Sequence, residues 1–245
     1  MAITRIHLLT VPLDILPEED IEPTILELLT KNEPQHIVFF TLWDLLKARR
    51  NTAFRTAAEN AALCLPLSKS LITAARLLAL PVPIRRNSFT MIIRILDIID
   101  SHYKSLYLLG GSEMSLADAE RNVHSTFPKL RIVGRFNGYY HKTFEPNIIT
   151  SIVKAHPSLV IIGNGIPNGI NWVEQNRNVL PGSIFIYNRD IIDIFAKRKK
   201  RISDSVFYKG YEFFPQLLKN PFKILYLFRY LWFYVTVLFY KLFRS

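Results

Sequence analysis

Short apolar runs alternate with longer helical stretches along most of this chain, and this alternation limits the folds available to it. The apolar runs, each about five residues long and suited to buried strands, are 5–9, 37–41, 105–109, 130–134, 158–162 and 183–187. The stretches with helical character between them are 18–31, 43–60, 68–80, 88–102, 115–126, 146–156 and 169–178. Strands that alternate with helices favour βαβ units. We therefore predict an α/β, Rossmann-like fold with a mostly parallel sheet flanked by helices.

The helix predicted over 115–126 has the clearest boundaries. Ser115 stands at its start with Asp118 three residues later, which is a local form of the capping box. Apolar residues then follow at helical spacing, and Pro128 lies where the helix must end.

The composition limits the chemistry of any site. The single cysteine, Cys64, excludes a disulfide framework within the chain and suits a reducing compartment. The six histidines are scattered, and with one cysteine they offer no metal-ligand spacing, so we predict neither a metal nor a cofactor. The opening MAITRIHLLTVPLDILPEED lacks the basic segment and unbroken apolar run of a secretory signal peptide, and we predict none.

Positive charge is concentrated in the last part of the chain. Residues 196–245 carry eleven Lys or Arg against two acidic residues, a net charge of +9. The whole chain carries +11, which leaves about +2 for residues 1–195. We predict an α/β domain over 1–195 and a helical, basic and aromatic appendage over 196–245 that meets an anionic partner.

The appendage contains the aromatic stretch FKILYLFRYLWFYVTVLFYKLF at 222–243. Its longest uncharged run covers 230–240, and eleven residues are fewer than the roughly 17–25 that a membrane-spanning helix needs. We predict a helix that lies in the interface of an anionic membrane. The alternatives are a helix pair packed on the body or on a partner subunit, and a shallow re-entrant insertion. The run KRKKR at 197–201 would also suit nucleic acid, but no nucleic-acid-binding module accompanies it, and we predict no such partner.

Two glycine turns follow successive predicted strands in LYLLGGSEMSLADAERNVHSTFPKLRIVGRFNGYY at 106–140. Glycine at the carboxyl end of a strand allows the backbone to approach a ligand. This segment resembles the WecB/TagA/CpsF family of glycosyltransferases. The likeness extends over about residues 5–230, through LLTVPLDILPEEDI, the block that begins IVFFTLWDLLKARR, then GNGIPNGINWVEQN, and KRISDSVFYKGYEFFPQLLKNPFKILYLFRY.

The resemblance implies a membrane-associated enzyme of cell-envelope polysaccharide synthesis. Family members transfer a sugar from a UDP-sugar to a polyprenyl-diphosphate-linked glycan at the cytoplasmic face of the cell membrane, as peripheral, metal-independent proteins. The nucleotide-sugar site that it implies comprises Thr41, Arg85, Gly110, Gly111, Gly138, Tyr139, Gly165 and Pro167. The residues that it implies for the acceptor diphosphate and the membrane are Arg201, Lys223, Arg229 and Trp232.

The departures from the family pattern fall where chemistry is expected. The family's Thr-x-Asn is Thr41-Leu42-Trp43 here, and its Pro-Asp-Gly, whose aspartate is the favoured base, is Pro66-Leu67-Ser68. Leucine cannot accept a proton. The family's Gly-x-Pro-Lys-Gln-Glu is GIPNGI over 165–170, and Gln216 replaces an expected arginine.

The catalytic residue is therefore not identified by the sequence. The nearest replacements for the lost aspartate are Asp44 and Ser68, and we expect Asp44 to be a solvated residue of a first helical turn. Two hypotheses follow. One is an active glycosyltransferase with a rearranged site. The other is a catalytically silent relative that binds a nucleotide sugar, a lipid-linked glycan or an active paralogue, with a homo-oligomer as a further possibility.

Overall fold

The computed structural model describes residues 3–167, 169–210 and 226–243. The strands in these ranges are β1 (Thr4–Leu8), β2 (Val11–Ile15), β3 (Gln35–Phe40), β4 (Leu63–Pro66), β5 (Ser105–Leu109), β6 (Arg131–Phe136), β7 (Leu159–Ile162) and β8 (Ile184–Tyr187). The helices are α1 (Ile21–Leu28), α2 (Leu42–Ala48), α3 (Thr52–Glu59), α4 (Lys69–Leu77), α5 (Ser88–Ser101), α6 (Glu113–Thr126), α7 (Glu145–Ala155), α8 (Gly169–Gln175), α9 (Ile191–Phe195), α10 (Asp204–Lys209) and α11 (Tyr226–Phe243).

Strands β3 to β8 form one parallel sheet in the order β4-β3-β8-β7-β5-β6. The four strands β3, β4, β5 and β7 are buried along their whole length, as continuous apolar strands covered on both faces should be. Helices cover both faces of this sheet. The predicted α/β, Rossmann-like arrangement is confirmed.

Alternate residues of each strand enter cores on opposite faces of the sheet. Ile37 and Leu106 point to a core closed by α1, α5, α6 and α9. On the other face, Val38 packs with α2, α3 and α4, and Val160 packs with α7 and α8. Neighbouring strands β5 and β7 therefore send their following helices to opposite faces, which opens a crevice at their carboxyl ends.

The first predicted strand is present, but it does not join the main sheet. β1 pairs antiparallel with β2 in a separate two-stranded sheet, and Leu9 and Thr10 turn the chain with φ of 50° and 76°. The hairpin is clamped at Asp14, which is fully buried. Its carboxylate accepts hydrogen bonds from the Arg5 guanidinium at 2.7 and 2.9 Å and from the Cys64 backbone N–H at 2.6 Å.

Two helix boundaries also differ from the prediction. The stretch 43–60 forms two helices, because the Asn51 side chain accepts the Phe54 N–H at 2.8 Å and begins a new helix there. Helix α6 begins two residues earlier than predicted: the Ser112 hydroxyl accepts the Ser115 N–H at 3.2 Å, so Ser115 is not the cap.

Helix α11 packs on the body through one face. Phe233 and Val237 are fully buried in the apolar cluster that also contains the β1–β2 hairpin. The Trp43 and Tyr230 rings meet edge to face, 5.3 Å apart. The opposite side, which we call the outer face, is exposed and consists of Phe228, Leu231, Trp232, Val235, Leu238, Phe239, Leu242 and Phe243. Within the ranges given above, no helix combines the length and apolarity needed to cross a bilayer.

Candidate functional site

The loops that follow β5, β6 and β7 meet at the carboxyl edge of the sheet through their glycines. A Cβ atom on Gly138 would lie 2.2 Å from the Asn164 carbonyl oxygen, 2.9 Å from the Gly110 Cα and 3.0 Å from the Gly165 Cα. Backbone hydrogen bonds fix the contact: Gly111 N–H donates to the Asn164 oxygen at 2.8 Å, and Gly138 N–H donates to the Gly111 oxygen at 2.9 Å. Only residues without side chains allow three loops to approach this closely.

This packing gives the glycine turns a structural role, because it brings the three loops together. Gly110, Gly111 and Gly138 are buried, and their nearest neighbours are other loop backbones or the side chain of a helix residue, Ile192. Direct contact between these three glycines and a nucleotide sugar stays a prediction. Gly165, which is partly exposed, is the member of the group that borders the neighbouring cavity.

A cavity of about 600 Å³ lies at the carboxyl ends of β3, β7 and β8. It opens to solvent beside the glycine contact, where ligands of open α/β sheets bind. Its lining consists of Asp44, Lys47, Phe54, Tyr139, Asn164, Gly165, Ile166, Pro167, Gly169, Ile170, Asn171, Tyr187, Arg189 and Asp190. Four of the predicted site residues are in this set: Asp44, Tyr139, Gly165 and Pro167.

Asp44 is a partly buried residue of the cavity wall, so the expectation of a solvated carboxylate is wrong. Thr41 caps α2 and donates to one carboxylate oxygen, Oδ2, through its N–H at 2.9 Å and its hydroxyl at 2.5 Å. Burial raises the pKa of the Asp44 carboxyl, while the Thr41 hydrogen bonds and the charge of Lys47 oppose the rise. Thr41 itself does not line the cavity; it positions a residue that does.

Asn164 organises the opposite wall. Its amide nitrogen donates to the Tyr139 hydroxyl at 3.1 Å and to Asp193 Oδ2 at 3.0 Å. Its amide oxygen is buried without a hydrogen-bond partner among the described residues. The Tyr139 ring is 67% exposed, so one face of the ring is available to a base or a sugar.

The segment after β8 supplies the remaining polar groups. Arg189 is exposed at the cavity mouth, and Asp190 pairs with Lys199 at 2.6 Å. Burial raises the pKa of the Tyr187 hydroxyl, Arg189 opposes this, and Asp190 and Asp44 add to it. A Cβ atom on Gly169 would lie 2.1 Å from the Tyr187 ring. A side chain at position 169, where the family has glutamine, would therefore clash with that ring.

Arg85 and Ser68 lie beside the cavity without lining it. The Arg85 guanidinium donates to the Leu67 oxygen at 2.5 Å and the Phe207 oxygen at 2.6 Å, and it stacks 3.9 Å from the Phe207 ring centre. The Ser68 hydroxyl accepts the Leu42 N–H at 2.9 Å. Arg85 therefore ties α10 to the loop after β4, and its contact with a diphosphate stays a prediction.

Three of the residues predicted for the acceptor and membrane, Arg201, Arg229 and Trp232, are outside the cavity lining. Arg201 lies 5.2 Å from the Phe89 ring centre, and Arg229 lies 6.0 Å from that of Trp43. Trp232 is exposed on the outer face of α11. Lys223 falls outside the described residues.

The sequence analysis missed Asn164, Tyr187 and Arg189. Each lies at or just after the end of a predicted strand, 158–162 or 183–187. The carboxyl ends of parallel strands collect at one edge of a sheet, so this position alone was a usable signal. Among the described residues, no group of three or more His, Cys, Asp or Glu is arranged to hold a metal ion.

A parallel sheet with a cavity beyond the carboxyl ends of its strands defines the class of doubly wound α/β proteins. Residues 6–245 match the family described as glycosyl transferase WecG/TagA/CpsF. The chain belongs to this family, and the resemblance seen in the sequence is confirmed.

One characterised relative has a defined activity. The chain is 22% identical over 129 residues to the N-acetylglucosaminyldiphosphoundecaprenol N-acetyl-beta-D-mannosaminyltransferase of Bacillus subtilis (strain 168). The match covers 53% of this chain and 50% of the relative, so it spans about half the length of each.

Proposed function

We propose that this protein is a membrane-associated glycosyltransferase of cell-envelope polysaccharide synthesis. It transfers a sugar from a UDP-sugar to an acceptor linked to a polyprenyl diphosphate. The observation that carries the proposal is the cavity at the carboxyl edge of the sheet, whose lining includes the carboxylate of Asp44 and the cations Lys47 and Arg189. Family membership supplies the reaction class, and the relative's name supplies the class of acceptor.

The cavity offers each group that such a transfer requires. Arg189 and Lys47 are cations able to stabilise the diphosphate that leaves with uridine. The exposed Tyr139 ring offers a surface for the base or the sugar. A carboxylate of the wall is available to accept the proton of the acceptor hydroxyl.

The outer face of α11 supports peripheral attachment to the membrane that holds the acceptor. It is formed by eight exposed aromatic and aliphatic side chains of one helix, and clustered exposed apolar residues mark protein or membrane contact sites. Arg229 and Lys241 belong to the same helix, and aromatic rings beside cations suit the headgroup region of an anionic leaflet. We place the protein at the cytoplasmic face of the cell membrane.

The test is release of UDP in the presence of an acceptor. The full chain is incubated with N-acetylglucosaminyl-diphosphoundecaprenol and, in turn, UDP-N-acetylmannosamine, UDP-N-acetylglucosamine, UDP-glucose and UDP-galactose. We expect acceptor-dependent UDP release with one donor. Arg189→Ala should weaken donor binding at least tenfold.

The matched control is Arg131→Ala, which removes an exposed arginine at the amino end of β6, away from the cavity. It should leave donor binding and turnover unchanged. Equal effects of the two variants would remove Arg189 from the donor site, and no UDP release with any donor would refute the transferase.

A second candidate function is a silent relative that binds the donor. The observation in its favour is Leu67: where the family has an aspartate, this side chain packs against the apolar core. Calorimetric binding of a UDP-sugar without any turnover would establish this alternative.

A further inference from the structure

We infer that Asp44 is the general base of this enzyme, so the proton acceptor has moved from the loop after β4 to the first turn of α2, the helix that follows β3. The inference rests on the proposed transferase function. It identifies a residue that can accept the proton in a chain where leucine at position 67 cannot.

The two loops are neighbours and are joined directly. β3 and β4 pair in parallel, with Phe40 opposite Pro66. Leu67 N–H donates to the Phe40 oxygen at 2.7 Å, and Leu42 N–H donates to the Ser68 hydroxyl at 2.9 Å. The start of α2, which carries the Asp44 carboxylate, is therefore joined to the loop after β4, which carries no carboxylate.

Of the residues that line the cavity in the described part of the chain, Asp44 and Asp190 are the two that carry a carboxylate. Asp190 is bound to Lys199 at 2.6 Å, an ion pair that competes for its oxygens. Asp44 is held differently. Both hydrogen bonds from Thr41 go to Oδ2, which leaves Oδ1 without a hydrogen-bond partner among the described residues.

This geometry fixes the carboxylate and leaves one oxygen for the substrate. The cap holds the side chain in one orientation, as a catalytic base requires. Burial favours the neutral form of the group, which makes the carboxylate a better proton acceptor than a solvated one. The opposing wall, with Tyr139 and Asn164, lies across the same cavity.

The step balances without a metal or a redox partner. The acceptor hydroxyl oxygen forms a bond to the anomeric carbon while the bond from that carbon to the UDP oxygen breaks. The hydroxyl proton passes to Oδ1 of Asp44, and the electron pair of the broken bond leaves on the diphosphate of UDP. Arg189 and Lys47 stabilise the charge that develops there.

The experiment compares Asp44→Asn with Asp97→Asn in the full chain, using the donor that gives the highest wild-type UDP release. Asparagine keeps a side-chain oxygen for the Thr41 N–H, so the cap of α2 and the donor site are retained. We expect Asp44→Asn to lower kcat by about 10²–10⁴-fold with donor binding within threefold of wild type. The acidic limb of the pH–rate profile should disappear.

Asp97→Asn is the matched control, since it makes the same change at an exposed carboxylate of α5 that does not line the cavity, and its kcat should stay within threefold of wild type. A kcat for Asp44→Asn near that of wild type would overturn the assignment while the transferase function stands. An equal loss in both variants would also overturn it. A wild-type protein that binds donor without releasing UDP would overturn both the base and the transferase, and would leave the silent relative.

Discussion

At the scale of single residues, His36 shows how burial and charge act together. It lies near the amino end of β3, is 2% exposed, and has both ring nitrogens without hydrogen-bond partners among the described residues. Burial, with a smaller contribution from the nearby charge of Arg177, lowers the pKa of its imidazole from 6.5 to about 3. The ring is therefore neutral in the folded protein at any pH near neutrality.

This burial makes stability depend on pH in a defined window. Between pH 6.5 and about 3 the unfolded chain binds a proton at His36 that the folded protein does not, so the free energy of unfolding falls as pH falls. The contribution of His36 should be about 2 kcal/mol smaller at pH 5 than at pH 7. Urea denaturation of wild type and of His36→Phe at pH 5 and at pH 7 measures this difference.

The control for that measurement is His7→Phe, which replaces an exposed histidine of β1. His36→Phe should lose stability less steeply on acidification than wild type, whereas His7→Phe should follow wild type. Parallel curves for all three proteins would contradict the assignment to His36.

Asp44 shows which properties of a single residue the sequence predicts and which require the folded structure. Its helical position and its place after a strand were predictable, and so was a negative charge near a helix start. Its contact with the cavity was not, because the cavity wall is completed by Asn164 and Tyr187 from distant strands. The burial that raises its pKa exists only in the assembled sheet.

At the scale of secondary structure, the strands with a distinct apolar run were predictable, even the four-residue strands β7 and β8. β5, at Ser105–Leu109, coincides with the run predicted at 105–109. β2 and β4 were missed, and the run at 5–9 forms β1, which pairs with β2 outside the main sheet. Apolar character identifies a strand but not its partner, which here depends on the distant contact between Asp14 and Cys64.

Helix α11 has two neighbouring aromatic residues in opposite environments. Phe233 is fully buried against the body, whereas Trp232 is 61% exposed on the outer face. We expect Phe233→Ala to lower the free energy of unfolding by about 3–5 kcal/mol, or to release α11 from the body. Trp232→Ala should change it by less than about 0.5 kcal/mol. Urea denaturation and the rate of chymotrypsin cleavage within α11 measure both effects.

Faster cleavage in Phe233→Ala alone would agree with the packing of α11 on the body. Similar cleavage of both variants at the wild-type rate would mean that the stability of α11 does not depend on its contact with the apolar cluster that contains the β1–β2 hairpin.

At the scale of the whole molecule, positive charge and exposed apolar surface occur together in residues 196–245. The net charge of +11 lies mostly in residues 196–245, and the outer face of α11 belongs to the same segment. Attachment to an anionic vesicle should therefore need both the positive charge and the apolar surface. We expect the full chain to sediment with phosphatidylglycerol vesicles at about 0.1 M salt and to be largely released at about 1 M, where the Debye length falls from about 10 Å to about 3 Å.

The contribution of the apolar surface to vesicle binding is tested by the triple variant Leu231→Gln, Trp232→Gln, Phe239→Gln, which changes only outer-face residues. It should remain unbound even at low salt. The matched control places glutamine at three exposed apolar residues of the body, Met114, Val133 and Val179. It should bind as wild type does, and sedimentation of the outer-face variant with the vesicles would contradict membrane contact through α11.

The apolar cluster beneath α11 has a consequence for synthesis. Ile6 and Leu8 share it with Phe233 and Val237, so a hairpin and a helix that are far apart in the chain close the same core. During translation the hairpin therefore lacks this cover until Val237 has left the ribosome. When α11 emerges, the folded body offers an apolar surface to Phe233 and Val237, and the outer face remains exposed.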